Sequence, residues 1–334
     1  MKKILFVLMF LLVIQNLAGC ENVNGKTGQK QLKLAHNQPL DHPVHKSLAE
    51  FGRLVEEKSN HAIQVEIYPN GQLGSEREVI ELTQTGAVDI SKVSASALEG
   101  FDPNYSVFSL PYLFEDYAAF QEVMGDPSIS DHVYQLTENI GFIGLTYYNS
   151  GVRNLYTKNR EVHELSDMKG LKVRVQPSQT SVRMIESLGG IPTAMSYSEV
   201  YTALQSGVID AAENNATTLV GNNHGEVAKY YMYTEHQIVP DILIMNAKRL
   251  KQFSDEERLI IEKSAQESTL YHEDVWSKAI QEETEIAKNE MGVEFIEVDK
   301  QPFIDAVQPL HNEYAKSDQT KELYQLLKGG SADE

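Results

Sequence analysis

The segments SEREVIELTQTGAVDI (residues 75–90) and SYSEVYTALQSGVIDA (196–211), offset by 121 residues, share Ser75/Ser196, Glu78/Glu199, Val79/Val200, Gln84/Gln205, Gly86/Gly207 and Asp89/Asp210. In each copy a serine is followed three residues later by a glutamate, the pattern of a capping box in which the hydroxyl accepts from the helix amides and the carboxylate reaches back. Each helix closes on a glycine suited to the left-handed cap, and a short apolar strand follows at once. Upstream, KQLKLAH (30–36) and KGLKVRV (169–175) match as lobe-opening strands. Helix-glycine-strand units are common, so likeness alone does not establish duplication. The more constraining reading is two similarly built lobes in tandem, and 334 residues are enough for two α/β domains with separate cores.

The rest of the chain supports that plan. QLKLAHN and AIQVEIYPN alternate as strands, and HPVHKSLAEFGRLVEEKSN carries apolar residues at helical spacing between them. Strand and helix alternate, which predicts a largely parallel sheet in each lobe. A helix without internal Pro or Gly is expected from Asp255 to Met291, long enough to brace both lobes; GVEFIEVD then reads as a strand, QPFIDAVQPLHNEYAKS as a closing helix and KGGSADE as a loose tail. The expected fold is therefore α/β, two lobes with a cleft between them and a long bridging helix. We place lobe I at 31–150 plus 240–279 and lobe II at 151–239 plus 280–325. Ligands in such sheets sit beyond the carboxyl ends of the strands, so the default site is the cleft between lobes.

The N-terminus reads as an export leader: Lys2 and Lys3, the apolar run ILFVLMFLLVI, then LAGC ending in Cys20, the only cysteine. Leu17-Ala18-Gly19-Cys20 resembles the bacterial lipobox, which implies residues 1–20 as signal peptide, a lipidated Cys20 and residues 21–30 as a polar tether. An uncleaved membrane anchor predicts much the same place, extracytoplasmic and held at the cell membrane. Formal charge is −19. That disfavours nucleic acid, which needs a cationic surface to displace counterions. The same field repels small anions at long range, so any anion site must be a local cluster of donors.

Arg174, near the carboxyl end of the strand LKVRV, is the candidate for such a cluster. A charge within a sheet costs several kcal/mol, on the order of the desolvation of one ion, unless it is paired or reaches an aqueous cleft. A guanidinium offers two parallel donors matched to a carboxylate. An edge strand with a surface acid as partner explains the residue equally at this level. Arg153, in YYNSGVRNLYTKNR, follows the flexible Ser150-Gly151 where the chain crosses between lobes, and a solvated loop arginine is its ordinary alternative.

YPNGQLGSEREVIELTQTGAVDI, FSLPYLF, YYNSGVRNLYTKNR, MKGLKVRVQ, YSEVYTALQSGVIDAAEN and VPDILIMN, taken in order, resemble the extracytoplasmic solute receptors of tripartite ATP-independent periplasmic (TRAP) transporters, from about Leu32 to about Tyr314. The resemblance implies that Arg174 clamps a ligand carboxylate, that Arg153 is a second cationic contact, and that Asn214, with Glu213 beside it, touches ligand. Ala211 stands where the family usually has glycine. Ser94 occupies a position that is acidic in sialate-binding relatives, which counts against sialate. From the first lobe, His36, Asn37, Glu76 and Ser94 are expected to complete the site, and His236 and Asp241 lie at the return crossover within reach of it. The opening AHNQPLDHP and the VPD segment are most similar to the uronate- and aldonate-binding branch. The implied partners are a small-molecule carboxylate and the membrane permease subunits.

Tyr147, Tyr148 and Tyr201 are further candidates for the lining, although the core is the commoner fate of such rings. Asp41, His42 and His45 lie close together without a third ligand to suggest a metal site, and no cofactor is expected. No HExxH, G-x-S-x-G or phosphate loop is present, and no catalytic residue is expected. Three alternatives stay open: a receptor for C4-dicarboxylates or other organic acids, an exported sugar-acid lyase, and a receptor that signals to a sensor kinase.

Overall fold

The computed structural model describes residues 29–329; the leader, Cys20 and nearly all of the tether lie outside the described residues, as do the last five. Two sheets account for the strands. The first, in the order β2-β1-β3-β10-β4, is built from β1 (Lys30–Ala35), β2 (Ile63–Tyr68), β3 (Ile90–Ser94), β4 (Phe142–Tyr148) and β10 (Asp241–Asn246). The second, in the order β11-β9-β5-β8-β6-β7, contains β5 (Val152–Thr157), β6 (Lys172–Val175), β7 (Ile191–Ala194), β8 (Ala211–Asn214), β9 (Tyr230–Ile238) and β11 (Glu294–Glu297).

The chain crosses between the sheets along β4–β5 and returns along β9–β10, and these crossings account for a departure from the expected parallel sheets. β1 pairs parallel with β2 and β3, and β6 with β7 and β8. The arriving strands run the other way: β10 is antiparallel to β3 and β4, and β5 to β8 and β9. A strand that comes from the opposite lobe enters at the cleft, where each lobe's own strands end, so it must point away from the cleft. Both sheets are therefore mixed.

The repeat folds as its sequence predicts. In the first copy Ser75 and Glu78 form a complete capping box on α2 (Glu76–Thr85), which stops at Gly86 with φ 82°. In the second, Ser196 and Glu199 form the box on a short 3-10 turn that leads into α6 (Val200–Ser206), and Gly207 closes it at φ 76°. Strands β3 and β8 then begin 121 residues apart, at Ile90 and Ala211.

Helix α7 (Asp255–Asn289) has its own capping box from Ser254 and Glu257, with three acidic residues in the first turn to complement the helix dipole. Ile261, Ala265 and Trp276 join the first lobe's core with α1 (Pro43–Lys58), whereas Ile280 and Ala287 pack into the second lobe's. Its 35 residues reach about 50 Å, enough to run along both lobes. A further core extends through both lobes and is sealed by α8 (Gln301–Tyr314) and by α9 (Lys321–Leu327), a helix the sequence reading missed.

At the first crossing, Gly151 has φ 74°, and a Cβ there would meet Trp276 Cζ2 at 2.9 Å and Asn215 Cβ at 3.0 Å. Gly151→Ala combines left-handed backbone strain with a clash against buried atoms, and should lower stability by about 1–3 kcal/mol in urea unfolding. An unchanged midpoint would show that the crossing relaxes freely.

Candidate functional site

A cavity lies between the lobes, at the carboxyl ends of the repeat strands, and opens through a mouth that shares Asn37, Glu76, Arg174 and Tyr197 as lining. Arg174 comes to it from β6, where Val173, Arg174 and Val175 are all buried. Its Nε and Nη2 both donate to the Met195 carbonyl oxygen, at 3.1 and 2.9 Å, and the Tyr197 ring lies 5.8 Å from Cζ. Among the described residues no carboxylate stands within ion-pairing distance of it. Burial lowers its pKa, Glu213 works against that, and the neighbouring Arg153 adds to it. The structure thus holds a positioned guanidinium, 3% exposed, whose charge no protein carboxylate neutralises directly.

Arg153 and Lys92 are different. Arg153 on β5 grips Glu213 through Nε–Oε2 at 2.5 Å and Nη2–Oε1 at 2.8 Å, while its Nη1 donates to Asn214 Oδ1 at 3.1 Å. Burial opposes ionisation of Glu213, but Arg153 together with His236, whose Nε2 is 3.5 Å away, holds the carboxyl well below its usual range. In the first lobe Lys92 on β3, 1% exposed, donates to Asp241 Oδ2 at 2.9 Å and to Asn37 Oδ1 at 3.4 Å, with Glu76 Oε1 at 3.9 Å.

These two pairs are related by the internal repeat. Lys92 and Glu213 are 121 residues apart, and each binds the charge on an arriving crossover strand, Asp241 on β10 and Arg153 on β5. The registers agree as well: Asp241 lies opposite Ser94, and Asn154 opposite Asn214, which places Arg153 against Asn215, the repeat equivalent of Ser94. The same offset relates Glu76 to Tyr197, each at the mouth of its lobe. The lobes are built alike, with the polarity of the buried pair reversed.

Seven of the ten ligand-binding candidates line the cavity: Arg174, Arg153, Asn214, Asn37, Glu76, Ser94 and Asp241, the last as the partner of Lys92. The Oδ1 of Asn214 accepts from Arg153 and Asn215, which leaves its Nδ2 as a donor. Glu76 Oε1 accepts from the Ser94 amide at 3.1 Å, and burial, more than Asp241, raises its pKa against the pull of Lys92.

The other three are placed behind the lining. Glu213 is fully buried under Arg153, and His236 stands behind Glu213, its Nδ1 2.8 Å from Thr234 Oγ1. His36 has both ring nitrogens engaged, accepting from the Gln38 amide at 3.1 Å and meeting His45 Nδ1 at 3.0 Å; burial, Lys92 and His45 push its pKa down to about 3. The expected tyrosines are elsewhere: Tyr148 is core and bonded to Ser268, Tyr147 packs at the edge of the core, and Tyr201 bonds Glu226 at the surface. Lys92, Tyr197 and Trp276 were missed. Lys92 carried the signal that marked Arg174, a charge inside a short apolar strand, and the 121-residue offset pairs Tyr197 with Glu76. Trp276 gave no local sign, because it reaches the cavity from the long helix.

The family model for bacterial extracellular solute-binding proteins, family 7, matches residues 34–318. Among solved structures, a TRAP periplasmic solute binding protein from Anaerococcus prevotii with bound D-glucuronate is 41% identical, with TM-score 0.87, covering 90% of this chain and 98% of that one. One from Xanthobacter autotrophicus with bound β-D-galacturonate is 34% identical, with TM-score 0.86, covering 90% and 100%. The C4-dicarboxylate-binding periplasmic protein DctP of Rhodobacter capsulatus is 31% identical over 85% of this chain and 86% of its own.

Proposed function

Because the chain belongs to the family 7 bacterial extracellular solute-binding proteins, the receptors of TRAP transporters, we propose that it captures a hexuronate between its lobes and presents it unaltered to membrane permease subunits. One observation carries this reading: Arg174 projects to an interlobe cavity as a cation without a carboxylate partner among the described residues, while the surrounding groups, Asn37, Glu76, Ser94 and Asn214, suit hydroxyls. The ligand carboxylate lies on Arg174, with Arg153 beside it. The two relatives with bound uronates support the sugar acid over a dicarboxylate.

Closure needs contacts from both lobes, since a ligand shifts an equilibrium only by its differential affinity for the two states. The lobes we assign, 31–150 with 240–279 and 151–239 with 280–325, meet at the crossings beside Gly151 and Val239 and along α7. Lipidation at Cys20, outside the described residues, would tether the receptor to the membrane; an N-terminal peptide carrying an unmodified Cys20 in membrane-derived protein would remove that part of the reading.

A thermal-shift and calorimetric panel tests the ligand. D-glucuronate or D-galacturonate at a hundred times its dissociation constant should stabilise the protein by about 2.7 kcal/mol, with succinate and sialate giving little. Stronger stabilisation by succinate would transfer the assignment to dicarboxylates. Mass spectrometry of the recovered ligand should find it unchanged, and turnover would make the protein an enzyme.

A further inference from the structure

A second cavity, of about 540 Å³, lies on the other side of the crossing from the interlobe site. Residues of the crossing alternate between the two: Ser150 and Asn215 line the interlobe cavity, whereas Asn149, Gly151 and Ala216 line the second. Among the described residues only Trp276 borders both, and its indole packs against Gly151. An irregularity shapes the second cavity's floor. The β5–β9 register shifts between Arg153 and Leu155, and Glu235 takes φ 44° with its amide donating to Asn154 Oδ1 at 2.8 Å. Bulges of this kind re-aim side chains beside functional sites.

The lining has a definite chemistry. Tyr117, Tyr231, Tyr233 and Trp276 supply four aromatic rings, and Glu235, Glu273 and Glu285 supply three carboxylates; among the described residues no lysine, arginine or histidine lines it. Glu235 pairs with Lys300, and Glu285 has Lys288 at 3.9 Å. Glu273 has no cationic partner among the described residues. Its Oε2 accepts from Tyr117 Oη at 2.5 Å and Gln121 Nε2 at 3.1 Å, both neutral donors. A carboxylate whose charge no basic side chain offsets attracts a cation bound beside it. Rings around a desolvated cation add to the attraction, and the volume falls in the range of small-molecule sites.

We propose that this hinge-side cavity is a second ligand site, for a small organic ammonium ion with an apolar or aromatic body. The ammonium lies on the Glu273 side of the cavity, near its carboxylate, and the body lies among Tyr231, Tyr233 and the outer face of Trp276. The inference does not depend on the identity of the interlobe ligand.

Trp276 is the chain's single tryptophan, so its fluorescence reports directly on the site. Phenethylamine should bind the full-length protein saturably, read by calorimetry and by Trp276 emission, and 3-phenylpropionate, of similar shape and opposite charge, should not. Glu273→Gln should weaken phenethylamine at least tenfold, and Thr284→Phe, which fills the cavity from α7, should do the same should the first variant fold poorly. D-glucuronate titration of both variants should stay within twofold of wild type. Absence of saturable phenethylamine binding, equal binding of phenylpropionate, or indifference to both substitutions would each overturn the proposal. Failure of the wild type to bind glucuronate would count against the interlobe assignment alone.

Discussion

Arg174→Ala should remove uronate binding while the melting temperature of the empty protein moves little. Losing one partner of a buried, hydrogen-bonded charge pair costs about 2–5 kcal/mol, which corresponds to roughly 30- to several-thousandfold in affinity. In the free protein Arg174 gives up only two hydrogen bonds to one carbonyl, and its burial without a carboxylate is itself unfavourable. Binding and stability therefore separate at this residue. Arg174→Lys should fall between, because a lysine keeps the charge but not the planar fork that meets both carboxylate oxygens. Calorimetry with D-glucuronate and a thermal melt without ligand give the two numbers. Affinity within threefold of wild type would show that the carboxylate is held elsewhere and would undo the proposed function.

The residues that local pattern could identify are those that the strands and the repeat position. Arg174 stood out in sequence as a charge near a strand end, Asn214 came only through the family resemblance, and the structure puts both on the cavity wall. Both capping boxes and both left-handed glycines were legible for the same reason, since each depends on residues three to eleven apart. What sequence concealed was pairing across the fold. Arg153 looked like a second free cation until β5 placed it against Glu213, and Lys92 drew no notice because its partner lies 149 residues away. Strand direction was hidden similarly: nothing in DILIMN says that it enters its sheet from the cleft. His36 shows the converse error, a polar residue at the right strand end whose ring turns inward to His45.

The Arg153–Glu213 pair allows a test in which stability and binding part company the other way. Arg153→Met leaves a fully buried carboxylate without its arginine and with only His236 beside it, and breaking a buried pair in this manner destabilises by about 3–5 kcal/mol. The pH dependence identifies the cause. In the wild type Glu213 has a folded-state pKa of about 2, below its ordinary value of 4.5, so the stability it contributes is complete above the ordinary value and is lost as pH falls through that window. In Arg153→Met, burial without the arginine raises the folded-state pKa, the folded protein binds the extra proton, and the deficit relative to wild type should shrink as pH is lowered from neutrality. Removing both charges, as Arg153→Met with Glu213→Leu, should recover most of the lost stability, because two well-packed apolar groups replace a pair that was costly to bury. It should not recover uronate affinity, since the guanidinium at the cavity wall is gone. Urea titrations of wild type, single and double variants at neutral and mildly acidic pH, each followed by glucuronate calorimetry, separate these terms. A double variant that binds glucuronate as tightly as wild type would reduce Arg153 to a structural counter-ion for Glu213, and would leave Arg174 to hold the acid alone.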